Sequence, residues 1–233
     1  MGNFTAAISQ LQHFLSLKTS SLDAPYLLGV YRLALDDISG ARESFQSAQR
    51  TTPKNVGVLT ALGVVEHLAD KSTVANTYFS QALTHSNSEQ KERLQLMLAN
   101  LRFSEKDWVG AKKHLAQAGG YFPSATIEVL DLPHLFEGAA GRASALVSLG
   151  VLLVNEGLPD RAIAAYSDSL KKSPNNAIAL FLKSNALARV RKHEEALETL
   201  SALSHLVPNY APAYFAMGEV HLSRKAPLEA MAA

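Results

Sequence analysis

Residues 29–53, GVYRLALDDISGARESFQSAQRTTP, hold the pattern that decides the fold. Gly29 is followed 12 residues on by Ala41, then by Phe45, Ala48 and Pro53. A shift of 34 residues returns the series as Gly63, Ala75, Phe79 and Ala82, with Asn87 in place of the proline. Further copies read Ala99, Ala111, Leu115, Ala118 and Pro123, offset by two residues, then Gly150, Ala162, Tyr166, Ser169 and Pro174. A looser copy, Ser184, Ala196, Leu200, Leu203 and Pro208, precedes a partial one with Gly218 and Ala230. Internal repetition at such a period marks an array of small supersecondary units, each of which needs its neighbours to bury its apolar face.

Each recurring position has a physical reason. Gly29 and Ala41 would sit where two antiparallel helices cross, and only small side chains let axes approach to roughly 8–10 Å. Phe45, Phe79 and Tyr166 lie one turn beyond the small residue on the same helical face and fill the space between the helices. Ala48 and Ala82 leave room for the next repeat to stack. Pro53, Pro123, Pro174 and Pro208 end one helix and stand just ahead of the next, where a missing N–H costs nothing. Apolar spacing and these breaks predict helices over 4–18, 23–36, 38–51, 55–69, 72–85, 88–104, 107–118, 142–156, 159–172, 175–190, 193–206, 209–223 and from 226. Asp36-Asp37, Asp70-Lys71, Lys106-Asp107 and Gly157 to Asp160 supply the turns between them.

The series resembles the tetratricopeptide repeat family. The resemblance implies an all-α, right-handed solenoid of antiparallel helix pairs, about five full repeats with partial repeats at both ends, over residues 1–233. Within that single solenoid, 1–123 hold the first repeats, 124–141 an insertion or link and 142–233 the later repeats. Thr126 to Leu132 could form a short helix or an extended piece before Pro133, and Gly138 to Gly141 reads as a link. Backward extension of the register puts Ala7 and Leu11 in the second half of a repeat, so both edges fall mid-repeat and an excerpt of a longer protein is expected.

In members of this family the first helix of each repeat lines a concave surface. Carried onto this register, the implied partner-binding groove comprises Tyr26, Val30, Thr60, Val64, His67, Arg93, Leu96, Asn100, Phe103, Val147, Val151, Phe181, Asn185, Phe215 and Glu219, with Leu33, Val154 and Arg189 beside them. The Lys and Asn clamp with which chaperone-binding members grip a carboxylate is absent, since Tyr26 and Val30, or Thr60 and Val64, take those places. The asparagine ladder of the sugar-transferase members is absent too, its positions holding Leu27, Ala61, Met97, Ser148, Leu182 and Ala216. A largely apolar groove favours an amphipathic helix or an apolar extended segment, held by burial at roughly 25 cal/mol per Å². The same valines could instead bury against neighbouring repeats. Glutamate at both Val64 and Phe103 separates the two: lost binding with intact helicity marks a groove, lost helicity marks a core.

Composition narrows the function. A chain of 233 residues, 47% hydrophobic and 18% charged, is not a disordered tail. A net charge of +1 from 22 basic and 21 acidic residues supplies no field to gather phosphates, so nucleic acid is not an expected partner. The basic cluster Arg189 to His193 is followed at once by Glu194-Glu195 and reads as a solvated turn. Zero cysteines exclude disulfides, thiolate nucleophiles and Cys-ligated metals. Asp131, His134 and Glu137 are spaced three apart, but Pro133 and Gly138 argue against a helix that would aim them together, and we read a loop edge rather than a metal site. No nucleophile elbow, phosphate loop or zinc-protease motif appears. No apolar run suits a membrane span, and a soluble segment, cytoplasmic or periplasmic, is expected. Met1-Gly2-Asn3-Phe4-Thr5-Ala6 lacks the Ser or Thr of a myristoylation signal.

The expected function is a non-catalytic scaffold that binds a protein or peptide partner, without cofactor, metal or small-molecule substrate. The alternative is a recognition or spacer arm of a longer protein, such as an enzyme or a bacterial secretion or polysaccharide-export component.

Overall fold

The computed structural model describes residues 4–17, 21, 23–119, 132–135 and 141–230. Among them the regular structure is entirely helical: α1 (Phe4–Ser16), α2 (Ala24–Ala34), α3 (Ile38–Thr51), α4 (Val56–Leu68), α5 (Ser72–His85), α6 (Ser88–Ser104), α7 (Trp108–Gln117), α8 (Leu132–Leu135), α9 (Arg142–Asn155), α10 (Pro159–Lys172), α11 (Ala177–Arg189), α12 (His193–Leu206) and α13 (Ala211–Ala230). This is an all-α helical-repeat fold. The chain forms two compact units, Met1–Leu98 and Ala99–Ala233, and the boundary falls inside α6.

Local chemistry sets where helices start and stop. Asp37, Asn55, Asp107 and Asn176 each accept a hydrogen bond from the backbone N–H three residues on, at 2.9–3.1 Å. Such caps satisfy one of the donors that the first turn leaves unpaired. At the turn inside each pair, Asp36, Asp70, Lys106, Gly157 and Arg191 all take positive φ, between 59° and 74°. The following N–H then reaches back five residues, as from Asp37 to Arg32 O at 2.9 Å and from Leu158 to Leu153 O at 2.8 Å. This left-handed closure satisfies carbonyls at the helix end and turns the chain sharply.

In the first unit α2 packs with α3 and α4 with α5, and α4 also meets α3. The glycine positions show why small residues recur. A Cβ on Gly29 would lie 2.5 Å from Phe45, and one on Gly63 would lie 2.4 Å from Phe79. Ala41, Phe45, Ala75 and Phe79 are wholly enclosed. Because α4 is covered on several sides, nearly all of it from Val58 to Leu68 is buried. That includes Glu66, whose carboxylate accepts from Arg42 Nε at 2.6 Å and lies 3.7 Å from Lys71 Nζ.

The second unit repeats the arrangement in α9 with α10 and α11 with α12, and α10 also packs on α11. A Cβ on Gly150 would lie 2.2 Å from the Tyr166 ring. Ser169 donates to Ala143 O at 2.7 Å, and Ser144 donates to Asn100 O, so buried hydroxyls tie neighbouring helices together.

Observed helices follow the expected ranges closely, with one difference in α13. Helix α13 runs unbroken through residues 224–225, where a turn was expected. Lys225 and Ala226 occupy the places of the left-handed and capping residues of earlier turns, and Lys225 is not among the positive-φ residues. The helix carries Pro227 within it, one residue beyond that place. The expected link 124–141 lies outside the described residues except for α8 and Gly141.

Candidate functional site

Three helices of the second unit, α11, α12 and α13, enclose an open cleft of about 490 Å³. Asn176 caps α11 and starts it, and α11 then lies against α12 and contacts α13. Tyr210, just ahead of α13, sits edge-on against the Phe181 ring with centroids 5.4 Å apart. That contact pins the start of α13 to α11, and burial pushes the Tyr210 phenol well above its ordinary pKa. Tyr214 donates its hydroxyl to Pro208 O at 2.9 Å, and Arg224 pairs with Glu194 of α12 at 2.9 Å. Tyr210 with Phe181 and Arg224 with Glu194 thus tie α13 to α11 and α12 on either side of its cleft-lining residues, Pro212 to Ser223.

Its floor is apolar, built by Phe181, Leu200, Ala216 and Val220. Asn185 and Arg189 line the α11 wall, and Phe215, Glu219 and Ser223 line the α13 wall. Phe215 is 70% exposed, so its ring is presented to solvent rather than packed. Arg189 and Glu219 are exposed and form no ion pair among the described residues. His193, which also borders the cleft, has a buried Nδ1 with no hydrogen-bond partner. The arrangement suits an apolar side chain inserted between the walls, with polar groups left at the rim for a peptide's backbone or charges.

The structure brings together Phe181, Asn185, Phe215 and Glu219 of the residues expected from sequence, with Arg189 beside them. Others lie inside the protein. Val30, Val64, Leu96, Phe103, Val147 and Val151 are buried, as are His67 and Asn100. Neither ring nitrogen of His67 finds a partner, and desolvation lowers its pKa to about 4. The side-chain amide of Asn100 is likewise unpartnered. Tyr26 is half-buried with its ring 5.6 Å from that of Phe45, and Thr60 donates to Val56 O at 2.6 Å. Arg93 is half-buried and paired with Glu89 at 2.5 Å.

Ala188, Leu200, Pro212, Ala216, Val220 and Ser223 also line the cleft without having been expected there. The available signal was the helical neighbourhood of the expected positions, because Ala216, Val220 and Ser223 lie within one turn of Phe215 and Glu219. Among the described residues no group of three His, Cys, Asp or Glu side chains could hold a metal ion, and Asp131 and Glu137 lie outside them. No described helix is long and apolar enough to cross a membrane.

The tetratricopeptide repeat family model matches residues 147–211, which span α10 and α11 and most of the helices that frame the cleft. The chain is similar to a solved chain of the APC/C hetero-tetramer Cut9-Hcn1, at 16% identity and a TM-score of 0.47, covering 94% of this chain and 40% of that one. It is thus similar to well under half of that chain's length. It is also similar to a tetratricopeptide repeat protein from Parabacteroides merdae, at 14% identity and a TM-score of 0.47, covering 96% of this chain and 81% of that one. A third similarity is to Pseudomonas aeruginosa pilF, at 17% identity and a TM-score of 0.40, covering 90% and 91%.

Proposed function

We propose that this chain, a member of the tetratricopeptide repeat family, is a protein-interaction scaffold whose α11 to α13 cleft receives an apolar side chain of a helical or extended peptide segment. The observation that carries this reading is the cleft itself: an apolar floor beneath the exposed Phe215, with unpaired Arg189 and Glu219 on opposite walls. A large aromatic ring left in water beside a preformed recess is the surface feature that partner binding most rewards. Residues Phe181, Asn185, Phe215 and Glu219 form the contact set. The buried positions of the expected groove, among them Val147 and Val151, support the helices behind it.

Binding draws on apolar burial at the floor, so an interaction of this kind survives salt that screens the rim. The test is a pull-down from source lysate at low and high salt, with Phe215→Glu and Asn185→Ala variants alongside. A partner retained at high salt and lost from the Phe215→Glu protein, whose helicity is unchanged, supports the reading. A partner bound equally by both proteins places recognition elsewhere.

A further inference from the structure

Buried polar side chains gather where α9 meets α6, within the second unit. Ser144 of α9 donates its hydroxyl to Asn100 O of α6, which sets the two helices side by side there. Ser148 stands one turn beyond Ser144 on the same face of α9. Asn100, Ser144 and Ser148 are all wholly enclosed. Yet neither the oxygen nor the nitrogen of the Asn100 side-chain amide has a hydrogen-bond partner, and neither has the Ser148 hydroxyl.

The junction of α9 with α11 shows what the same places hold elsewhere. In the register that equates Ala99 with Gly150, Asn100 corresponds to Val151, and a shift of 34 carries Ser144 and Ser148 to Ile178 and Leu182 of α11. Helix α9 contacts α11, and Val151, Ile178 and Leu182 are buried. One junction is thus apolar at the places where the other is polar. Parting an apolar junction puts its groups into water with no return, whereas an enclosed amide or hydroxyl without a partner gains hydrogen bonds as soon as water reaches it. The closed junction of α6 with α9 therefore has less to lose by opening, and it rests on close packing and the Ser144 bond.

We infer that the junction of α6 with α9 is where the helical array opens in the native protein: α9 parts from α6, water reaches Asn100 and Ser148, and the junction of α9 with α11 stays closed. The opening is sub-global, so it recurs far more often than unfolding of the chain. It breaks the Ser144 bond to Asn100 O and turns an amide and two hydroxyls, enclosed in the closed form, toward water. This is a conformational device of the fold, independent of the cleft, none of whose lining residues takes part in it.

The chain has no cysteine, so an introduced thiol reports its own site. Val147→Cys and Val151→Cys place the same substitution one turn apart on α9. Val147 lies two repeats before Phe215, which lines the junction of α11 with α13 from its later helix, and Val151 lies one repeat before Asn185, which lines it from the earlier helix. The first thus reports on the α6 side of α9 and the second on the α11 side. Alkylation by iodoacetamide is followed by mass spectrometry, each rate divided by that of the same chain unfolded in urea. Val147 is 0% exposed and Val151 4%, so the closed form alone favours reaction at Val151→Cys. Opening should instead make Val147→Cys react at least about tenfold faster, with a weaker dependence on low urea than global unfolding shows. Adding Asn100→Val with Ser148→Ala should slow Val147→Cys at least about tenfold, and Ser148→Ala alone, which removes a single oxygen, should slow it in the same direction. Circular dichroism confirms that each variant keeps its helicity. Reaction of Val147→Cys no faster than that of Val151→Cys overturns the inference. So does a rate that these substitutions leave unchanged or raise, or one that tracks global unfolding in urea.

Discussion

His67 makes the stability of the first unit depend on pH in a calculable way. Its side chain is 1% exposed, both ring nitrogens lack partners, and desolvation holds its pKa at about 4 against an ordinary 6.5. The unfolded chain therefore binds a proton at this residue below pH 6.5 that the folded chain refuses until about pH 4. The neutral ring's contribution is intact above pH 6.5, falls as pH drops through that value, and levels off below about 4. At about 1.4 kcal/mol for each unit of pKa difference, the full loss is roughly 3 kcal/mol, of which about 2 kcal/mol has gone by pH 5. Replacement His67→Leu removes both the titration and the unpaired nitrogens. Urea unfolding at pH 8 and pH 5 measures the effect, followed by far-UV circular dichroism because the single tryptophan, Trp108, lies in the other unit. The wild-type protein should lose about 2 kcal/mol more than His67→Leu between the two conditions. Glu66, paired with Arg42 and Lys71, is present in both proteins, so its contribution cancels in the difference. Equal losses in the two proteins would refute the assignment of a neutral, unpartnered His67 in the core.

Three further outcomes follow from packing and backbone geometry. Gly63→Ala drives a methyl group into Phe79 and should destabilise by about 1–3 kcal/mol in urea unfolding, with Phe79→Leu in the same chain recovering part of the loss, as the Ala99 with Leu115 pairing anticipates. Lys106→Gly relieves a non-glycine residue at φ 59° and should raise stability by about 0.5–1 kcal/mol; an unchanged or lowered midpoint would count against strain at that turn. Glutamate at both Val64 and Phe103, which are 0% and 1% exposed, should cost helicity outright, since each substitution buries a charge without a partner. Intact helicity in that double variant would show that these side chains are more accessible than the structure places them.

The 34-residue series made most of the helices legible, because small residues at crossings, rings at the fill positions and prolines at the breaks are each required by local geometry. Turn residues were legible as turn residues, yet the shared positive φ at Asp36, Asp70, Lys106, Gly157 and Arg191 was not. Lysine and arginine carry no signal for a left-handed backbone, which is imposed by the close approach of the two helices they join. The break expected near residues 224–225 is not seen, and α13 continues through it to Ala230.

The site divides more sharply. From sequence alone follow the helix pairs and the recurrence of small residues and rings between them, because these depend on spacing and side-chain volume. Sequence could not separate Val64, which is enclosed, from Phe215, which stands in water, although the two were expected in the same groove. Exposure depends on what packs over a helix, and periodic positions are equivalent only while every copy has the same cover. The second unit leaves the cleft between α11 and α13 open, and only the tertiary arrangement of helices determines that.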